Sequence, residues 1–419
     1  MSNAAELHTG YEWLARQKLD AHREDDANNG NGKDSKFGHE IIWMDIEGGS
    51  RGKSIDTRAE SSPNYGNGED TDHSLLDTEN YGDMLQIPLY PLGAVHLPSP
   101  GQIHTLNNIE PRNIKMAEDL VDPEGEFDGR FCVTLRASDT GRVAQTATLM
   151  RVVNTTRQES FDGSLLAIRV ECVAEGLVEV QQIMNPHAWS KEQRIKKSDE
   201  YLVANVWPIN EDRSTVDDDE NLQVTDALAK QAQADFETVR NIYSNKDAVS
   251  TNELPEWAID AIRSNLPTLS ASDFANSFWR CADTWQQLTN TIRMARRSEL
   301  NSDVNEITID EACKLGGPLK LPVHRRDLPI DVQKRLNKME EDAAENFIAR
   351  GIDPIVDFQI ILSMSIAIDR LRYLSLLISR ERRRLETKAT LRQMFEVGDE
   401  DGAEWSVSPL NSNVTSSFD

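Results

Sequence analysis

Cysteine is scarce in this 419-residue chain, and Cys132, Cys172, Cys281 and Cys313 stand far apart with no Cys-x-x-Cys pair. That spacing excludes a disulfide scaffold and a zinc ribbon, and points to free, mostly buried thiols in a reducing compartment. Long apolar runs are missing too. Ile360–Ile368 falls short of the ~20 residues a bilayer span needs, and Asp357, Asp369 and Arg370 flank it. The amino terminus has no apolar core of a secretory signal, and Glu6, Glu12 and Asp20 oppose an organelle transit peptide, so an intracellular, cytoplasmic protein with no membrane contact is expected.

Positive charge is in short supply, with 45 Lys and Arg against 71 Asp and Glu, a net charge of −26. Most of the excess sits in three stretches: residues 1–83 carry a net −10, 211–220 a net −5 and 396–419 a net −6, which leaves about −5 for everything else. The acidity therefore belongs to solvated ends and a linker. A nucleic-acid partner, which needs a basic face, is disfavoured.

Catalytic signatures are absent as well. Gly48-Gly49-Ser50-Arg51-Gly52-Lys53-Ser54 imitates a phosphate loop, but Glu47 stands where the motif needs its first glycine, so a loop is expected. The histidines (His8, His22, His39, His73, His96, His104, His187 and His324) show no HxxxH or HExxH spacing. No GxSxG elbow occurs, and no cysteine has a nucleophile's local signature. Asp217-Asp218-Asp219-Glu220 reads as solvated linker in preference to a cation site, and the sequons at Asn154 and Asn413 as chance matches. No catalytic, cofactor-binding or metal-binding residue is assigned, no cofactor is expected, and the chain is read as not an enzyme.

What is present centres on Leu85 to Met116. Ile87, Leu89 and Tyr90 lie around a proline in a strand-like run, Pro/Gly turns follow at residues 91–93 and 98–101, and Pro111 suits the first turn of a helix continued by Ile114, Ala117 and Val121. Beyond it the pattern to about residue 210 is β-rich. Phe131, Val133 and Leu135 alternate with Cys132 and Thr134; Val143–Val153, Leu165–Val173, Leu177–Ile183 and Tyr201–Trp207 are further strands, with turns expected at Asp162-Gly163 and Glu175-Gly176. Short strands with one early helix suggest a small barrel, closed or nearly so. After an acidic linker the period becomes helical: Ala229, Ala232, Phe236, Val239 and Tyr243 mark one helix, Trp257 a shorter one, and Ser272 is the N-cap of another through Phe274, Phe278, Trp279 and Leu288. Residues 301–328 read as a loop broken at Gly316-Gly317-Pro318, Pro329–Arg350 as a helix, and Pro354 to about Met394 as one long last helix. Upstream, 6–22 reads as a short amphipathic helix, and 24–83 as disordered apart from the strand-like Ile41–Met44.

The stretch Ile87-Pro88-Leu89-Tyr90-Pro91-Leu92, Leu97-Pro98, Gly101, Leu106 and Ile109-Glu110-Pro111-Arg112 with Met116 resembles the opening of the Lon protease N-terminal, substrate-binding domain. Gly141-Arg142-Val143-Ala144-Gln145 matches the strand after that family's first helix; Asp357-Phe358-Gln359-Ile360-Ile361-Leu362 and Asp369-Arg370-Leu371-Arg372-Tyr373-Leu374 match its closing helix. Thr105, Asn107 and Asn113 depart from the family, which favours proline, histidine and an aromatic there. The likeness spans roughly residues 84–390 and is weakest between 290 and 330.

The resemblance implies an α+β fold: a PUA-like (pseudouridine-synthase-and-archaeosine-transglycosylase-like) β-barrel followed by an α-helical bundle with a long C-terminal helix. The expected layout is 1–83 mostly disordered, 84–210 barrel, 211–224 linker, 225–395 bundle and 396–419 disordered tail. The family's ATPase and Ser–Lys protease modules have no counterpart before Asp419, so the expected role is non-catalytic binding of protein or peptide clients, with protein quality control as its setting. The alternative is a cereblon-like substrate receptor or adaptor of a ubiquitin ligase, although cereblon's following zinc-bearing domain with its CxxC pairs is missing. RNA binding by analogy with other PUA domains is opposed by the charge balance. Glu110 and Arg112 are read as structural, at a helix start, in preference to client contacts. His96 and His104 are read as ordinary turn or surface residues in preference to a shared site. Arg380, Arg382, Arg383 and Arg384 are read as a solvated face in preference to a contact for an acidic partner or tail.

Overall fold

The computed structural model describes residues 41–46, 84–122, 124–137, 140–160, 165–190, 193, 196, 198–209, 219–244, 256–261, 266–270, 273–314, 325–349 and 354–399. The expected 6–22 helix, the phosphate-loop look-alike and the acidic tail from 400 onwards lie outside these residues.

The strands in chain order are β1 (Trp43–Met44), β2 (Leu85–Leu92), β3 (Ile103–Asn108), β4 (Arg130–Leu135), β5 (Val143–Ala144), β6 (Thr146–Glu159), β7 (Leu165–Ile183) and β8 (Leu202–Ile209). Five of them pair in a ring. Strand β2 runs parallel to β4 (Leu89 opposite Cys132), β4 antiparallel to β6, β6 to β7, β7 to β8, and β8 returns to β2 with Leu202 opposite Leu89. Every second side chain of these strands enters one cluster, including Leu89, Cys132, Leu149, Val178, Leu202 and Ala204. The opposite parity, with Phe131, Val133, Met150 and Val170, meets Met116, Ala117 and Leu120 of α1 (Pro111–Leu120). Alternation along each strand thus fills two separate cores.

Two strands read separately from the sequence, Leu165–Val173 and Leu177–Ile183, are one. At Glu175-Gly176 the expected turn is a β-bulge: Leu149 faces Gly176 and Met150 faces Ala174, so Glu175 has no opposite residue. The bulge places the Glu175 carboxylate between Arg130 Nε at 2.9 Å and Arg151 Nε at 2.7 Å. It also divides β7, whose first half pairs with β3 (His104 opposite Cys172) and whose second half pairs with β8. Between β2 and β3, residues 93–102 run out to the helices.

The helices are α2 (Asp219–Ser244), α3 (Glu256–Ala261), α4 (Phe274–Lys314), α5 (Ile330–Ala349), α6 (Pro354–Ser363) and α7 (Ala367–Asp399). α2 begins within the stretch read as acidic linker. Phe236, Phe278, Trp285, Phe358, Leu374 and Ile378 meet in one core that also takes Val95, Leu97, Leu135 and Leu177 from the strand region. The two layers are hydrogen-bonded as well as packed: Gln286 Nε2 donates to Val95 O at 3.0 Å and Gln359 Nε2 to Thr146 O at 3.0 Å. Gln359 is almost wholly buried. Gln359→Leu leaves Thr146 O without that donor, and an unfolding free energy lower by about 1–2 kcal/mol is expected in urea melts, with the denaturant slope unchanged.

Two helix expectations are corrected. The stretch 301–314 is not loop: α4 runs 41 residues, because Val304, Ile307 and Ala312 keep a helical stripe that packs on Leu328, Val332 and Leu336 in a small core of its own. The last helix is not continuous. It breaks between Ser363 and Ala367, where buried Arg370 donates through Nε to Met364 O at 2.7 Å and Ser363 Oγ turns back to Gln359 O at 2.9 Å. Among the described residues no helix is long and apolar enough to cross a membrane.

Candidate functional site

The β4–β5 hairpin is the corner at which the upstream segment Ile41–Ile46 meets the strand region. After β4, Ala137 N donates to Arg142 O at 2.8 Å and Gly141 N to Ala137 O at 2.9 Å, with Gly141 at φ +75°, where a residue without a Cβ is favoured. Arg136 bridges to Val143. These bonds present β5, which pairs antiparallel with β1: Trp43 lies opposite Ala144 and Met44 opposite Val143. Gln145 N donates to Ile42 O at 2.8 Å. The Arg142 guanidinium closes over the segment, donating to Trp43 O and lying 3.2 Å from Asp45 Oδ1 through Nε.

Burial alternates over Ile41–Met44 as in a strand, and the phase changes between Asp45, which is exposed, and Ile46, which is buried. Ile41 and Trp43 are buried in the helical core and Ile46 in the ring cluster, while Ile42 is 61% exposed. Three apolar side chains are thus held in the body, two backbone positions are paired, and a guanidinium reads a carbonyl and a carboxylate. What this corner can do chemically is grip an extended polypeptide.

The same hairpin sends Arg136 to Trp189, which closes a short 3-10 turn (Pro186–Trp189) after β7. The Arg112 guanidinium carbon lies 3.7 Å from the centre of the Trp189 ring and that of Arg136 lies 5.6 Å away. Arg112 also pairs with Glu110, whose side chain is 58% exposed. Arg112 Nε and Trp189 Nε1 are buried without a hydrogen-bond partner among the described residues. Asn113 Nδ2 donates to Tyr90 OH at 3.3 Å, and burial, reinforced by Glu110, pushes the Tyr90 phenol up to about 12. Arg112 is therefore a packed cation on an aromatic face. Glu110 is the helix N-cap residue, without a side-chain capping bond.

His96 and His104, read as ordinary turn residues, form a pair. Their Nδ1 atoms are 3.2 Å apart, with the rings edge to face. Burial and the neighbouring ring lower His96 to about 4, and burial lowers His104. His187 is exposed, with Nε2 3.3 Å from Glu200. Cys132, Cys172 and Cys281 are buried free thiols and Cys313 is exposed; burial pushes Cys172 and Cys281 up to about 12, which suits packing and not nucleophilic attack. Among the described residues no three His, Cys, Asp or Glu side chains converge to hold a metal. Asn154 donates to Glu171 Oε2 at 3.2 Å. His8, His22, His39, His73, His324, Ser272, Asn413 and most of the acidic run before α2 lie outside the described residues.

The solvated-face reading of the late arginines is half corrected. Arg380 and Arg383 are exposed, but Arg382 Nε lies 3.1 Å from the buried Asp235 of α2, and Arg384 chelates Glu381 with Nε and Nη2, each at 2.8 Å. The acidic partner lies within the helical layer. Sequence reasoning missed the corner itself, since Trp43 and Arg142 lie 99 positions apart; the one available signal was the strand-like apolar run Ile41–Met44.

Fold and site together define a class: an α+β protein whose ring of strands and helical layer jointly hold an extended segment. Comparison with known proteins gives it structural likenesses. No family model matches the chain, and no curated protein does. It is similar to the crystal structure of a Lon N-terminal domain protein from Xanthomonas campestris, with 17% identity and a TM-score of 0.24, over 43% of this chain and 91% of that one. It is also similar to the N-terminal domain of a Mycobacterium avium complex Lon protease, with 11% identity and a TM-score of 0.25, over 51% of this chain and 98% of that one.

Proposed function

We propose that this chain is a non-catalytic polypeptide-binding protein, a PUA-like β-barrel (84–210) joined to a helical bundle (225–395), whose clients are proteins or peptides. The observation that carries the reading is the seating of Ile41–Ile46. An extended apolar segment is held by pairing along β5, by burial of three side chains and by one arginine on its backbone, which is the grip that strand-addition recognition uses. Main-chain pairing supplies sequence-tolerant affinity, and the apolar seats supply selectivity. The buried free thiols suit a reducing compartment, so the setting proposed is inside the cell.

The reading is tested by titrating the full chain into a fluorescently labelled, reduced and carboxymethylated unfolded protein and following anisotropy. Saturable binding in the micromolar range is expected. No saturation up to ~100 μM, the concentration at which the binding free energy is down to about −5.5 kcal/mol, removes the reading.

A further inference from the structure

Resting on the polypeptide-binding reading, the inference concerns where a client sits and what occupies that place in the chain by itself. We propose that the edge of β5, with the Arg142 clasp and the seats of Ile41, Trp43 and Ile46, is the client site, and that Ile41–Ile46 is its exchangeable resident. The ligand class is an extended polypeptide segment with apolar side chains at its first, third and sixth positions.

Connectivity of the sheets comes first. β1 and β5 make a two-stranded sheet of their own, while the ring runs β2-β4-β6-β7-β8 without either of them. Departure of β1 therefore removes no pairing from the ring. The edge it leaves stays formed, because β5 is fastened from elsewhere. Arg136 bridges Val143, Ala137 N donates to Arg142 O, Thr134 Oγ1 donates to Ala144 O at 2.6 Å, and Val180 N donates to Gln145 O at 2.9 Å. Released, Gln145 N becomes a donor on an open strand edge, a position that another extended segment can fill by strand addition.

The grip is generic in the way a client site must be. Its polar contacts read a backbone carbonyl, which every residue has, and a carboxylate at the fifth position. Specificity resides in spacing, since Ile41, Trp43 and Ile46 enter the body while Ile42 faces out. The sequence around the resident supplies the complementary argument. Between Glu24 and Glu40, Phe37 is the one large apolar residue, and 47–83 is dominated by Gly, Ser, Asn, Asp and Glu. Ile41–Ile46 is an apolar island in the sequence, and because it belongs to the same chain it competes with a client intramolecularly. A client displaces it by presenting the same three side chains, and it returns when the client leaves.

Hydrogen–deuterium exchange on the intact chain tests this, with the acetylated, amidated octapeptide Glu-Ile-Ile-Trp-Met-Asp-Ile-Glu (the sequence of residues 40–47) as probe. With the peptide at saturation, amides of the chain's own 41–46 should exchange at least tenfold faster, while the Gln145 amide, now capped by the peptide, stays protected. A peptide with serine at the three apolar positions should leave both 41–46 and the Gln145 amide as protected as without peptide. Unchanged protection at 41–46 overturns the proposal, and so does simultaneous loss at Gln145, which would mean that the corner opens without accepting a strand. As a second arm, Trp43→Ser in the full chain should bind the labelled octapeptide at least tenfold tighter than the wild type does; equal affinity counts against the proposal, and if this variant does not fold, the exchange measurement on the wild type decides. An unfolded protein that binds while the octapeptide leaves 41–46 protected places clients elsewhere, and sinks this inference with the binding reading intact.

Discussion

Glu381→Ala is expected to lower the unfolding free energy by about 3–5 kcal/mol, the usual cost of removing one partner from a buried ion pair. Glu381 sits on the face of α7 that packs against α2, with a side chain 7% exposed. Three donors converge on it: Arg384 Nε and Nη2 at 2.8 Å each, and Tyr243 OH at 2.5 Å from α2. Arg384 Nη2 also donates to Tyr243 OH at 3.1 Å, and burial together with Glu381 drives the Tyr243 phenol far above its ordinary range. Alanine leaves a partly buried guanidinium and a buried phenol hydroxyl without their acceptor. Because the loss comes from the uncompensated cation more than from the missing attraction, the double variant Glu381→Leu/Arg384→Met should recover most of it, to within about 1.5 kcal/mol of wild type. Glu381→Gln, which keeps an acceptor, should fall between. Urea unfolding followed by circular dichroism gives all four values. A double variant as unstable as the single one would show that volume, not charge, sets the cost at this position.

The same residues show where sequence reading reaches its limit. Alternation of Phe131, Val133 and Leu135 and the helical steps from Ala232 to Tyr243 report local geometry, and β4 and α2 follow from them. Features set by distant partners do not show. Glu175-Gly176 has a turn's composition, yet β6 beside it converts it into a bulge. The stripe at Val304, Ile307 and Ala312 is visible only once α5 is there to receive it. Arg382 and Arg384 are interleaved with Glu381 and Glu386 as a solvated face would be, and only α2 decides which of them point inward. For the site the asymmetry is sharper. The strand-like apolar run Ile41–Met44 was legible, but its seat lies on β5, far along the chain, and no local pattern marks an edge two residues long as a place for a strand.

Acid should weaken the contact between sheet and helices before it reaches most carboxylates, and the cause is the histidine pair. Nδ1 of His96 and Nδ1 of His104 lie 3.2 Å apart, so one ring donates and the other accepts; a proton on both sets cation against cation. In the unfolded chain each ring takes a proton near pH 6.5, whereas in the fold His96 does so only at about 4. Between those values the unfolded state binds more protons, so the contribution is full above pH 6.5 and is lost as the pH falls toward 4, on the order of 3 kcal/mol. The loss bears on the loop that carries His96, whose neighbours Val95 and Leu97 lie in the helical core and whose Val95 O accepts from Gln286. Urea unfolding at constant ionic strength should show the wild type falling off between pH 7 and 5 while His96→Gln, neutral throughout, stays flatter. The gap should widen until about pH 4, below which the two curves run parallel because both states then carry the proton. Parallel curves over the whole range would assign the acid sensitivity to those carboxylates and leave the pair a packing role alone.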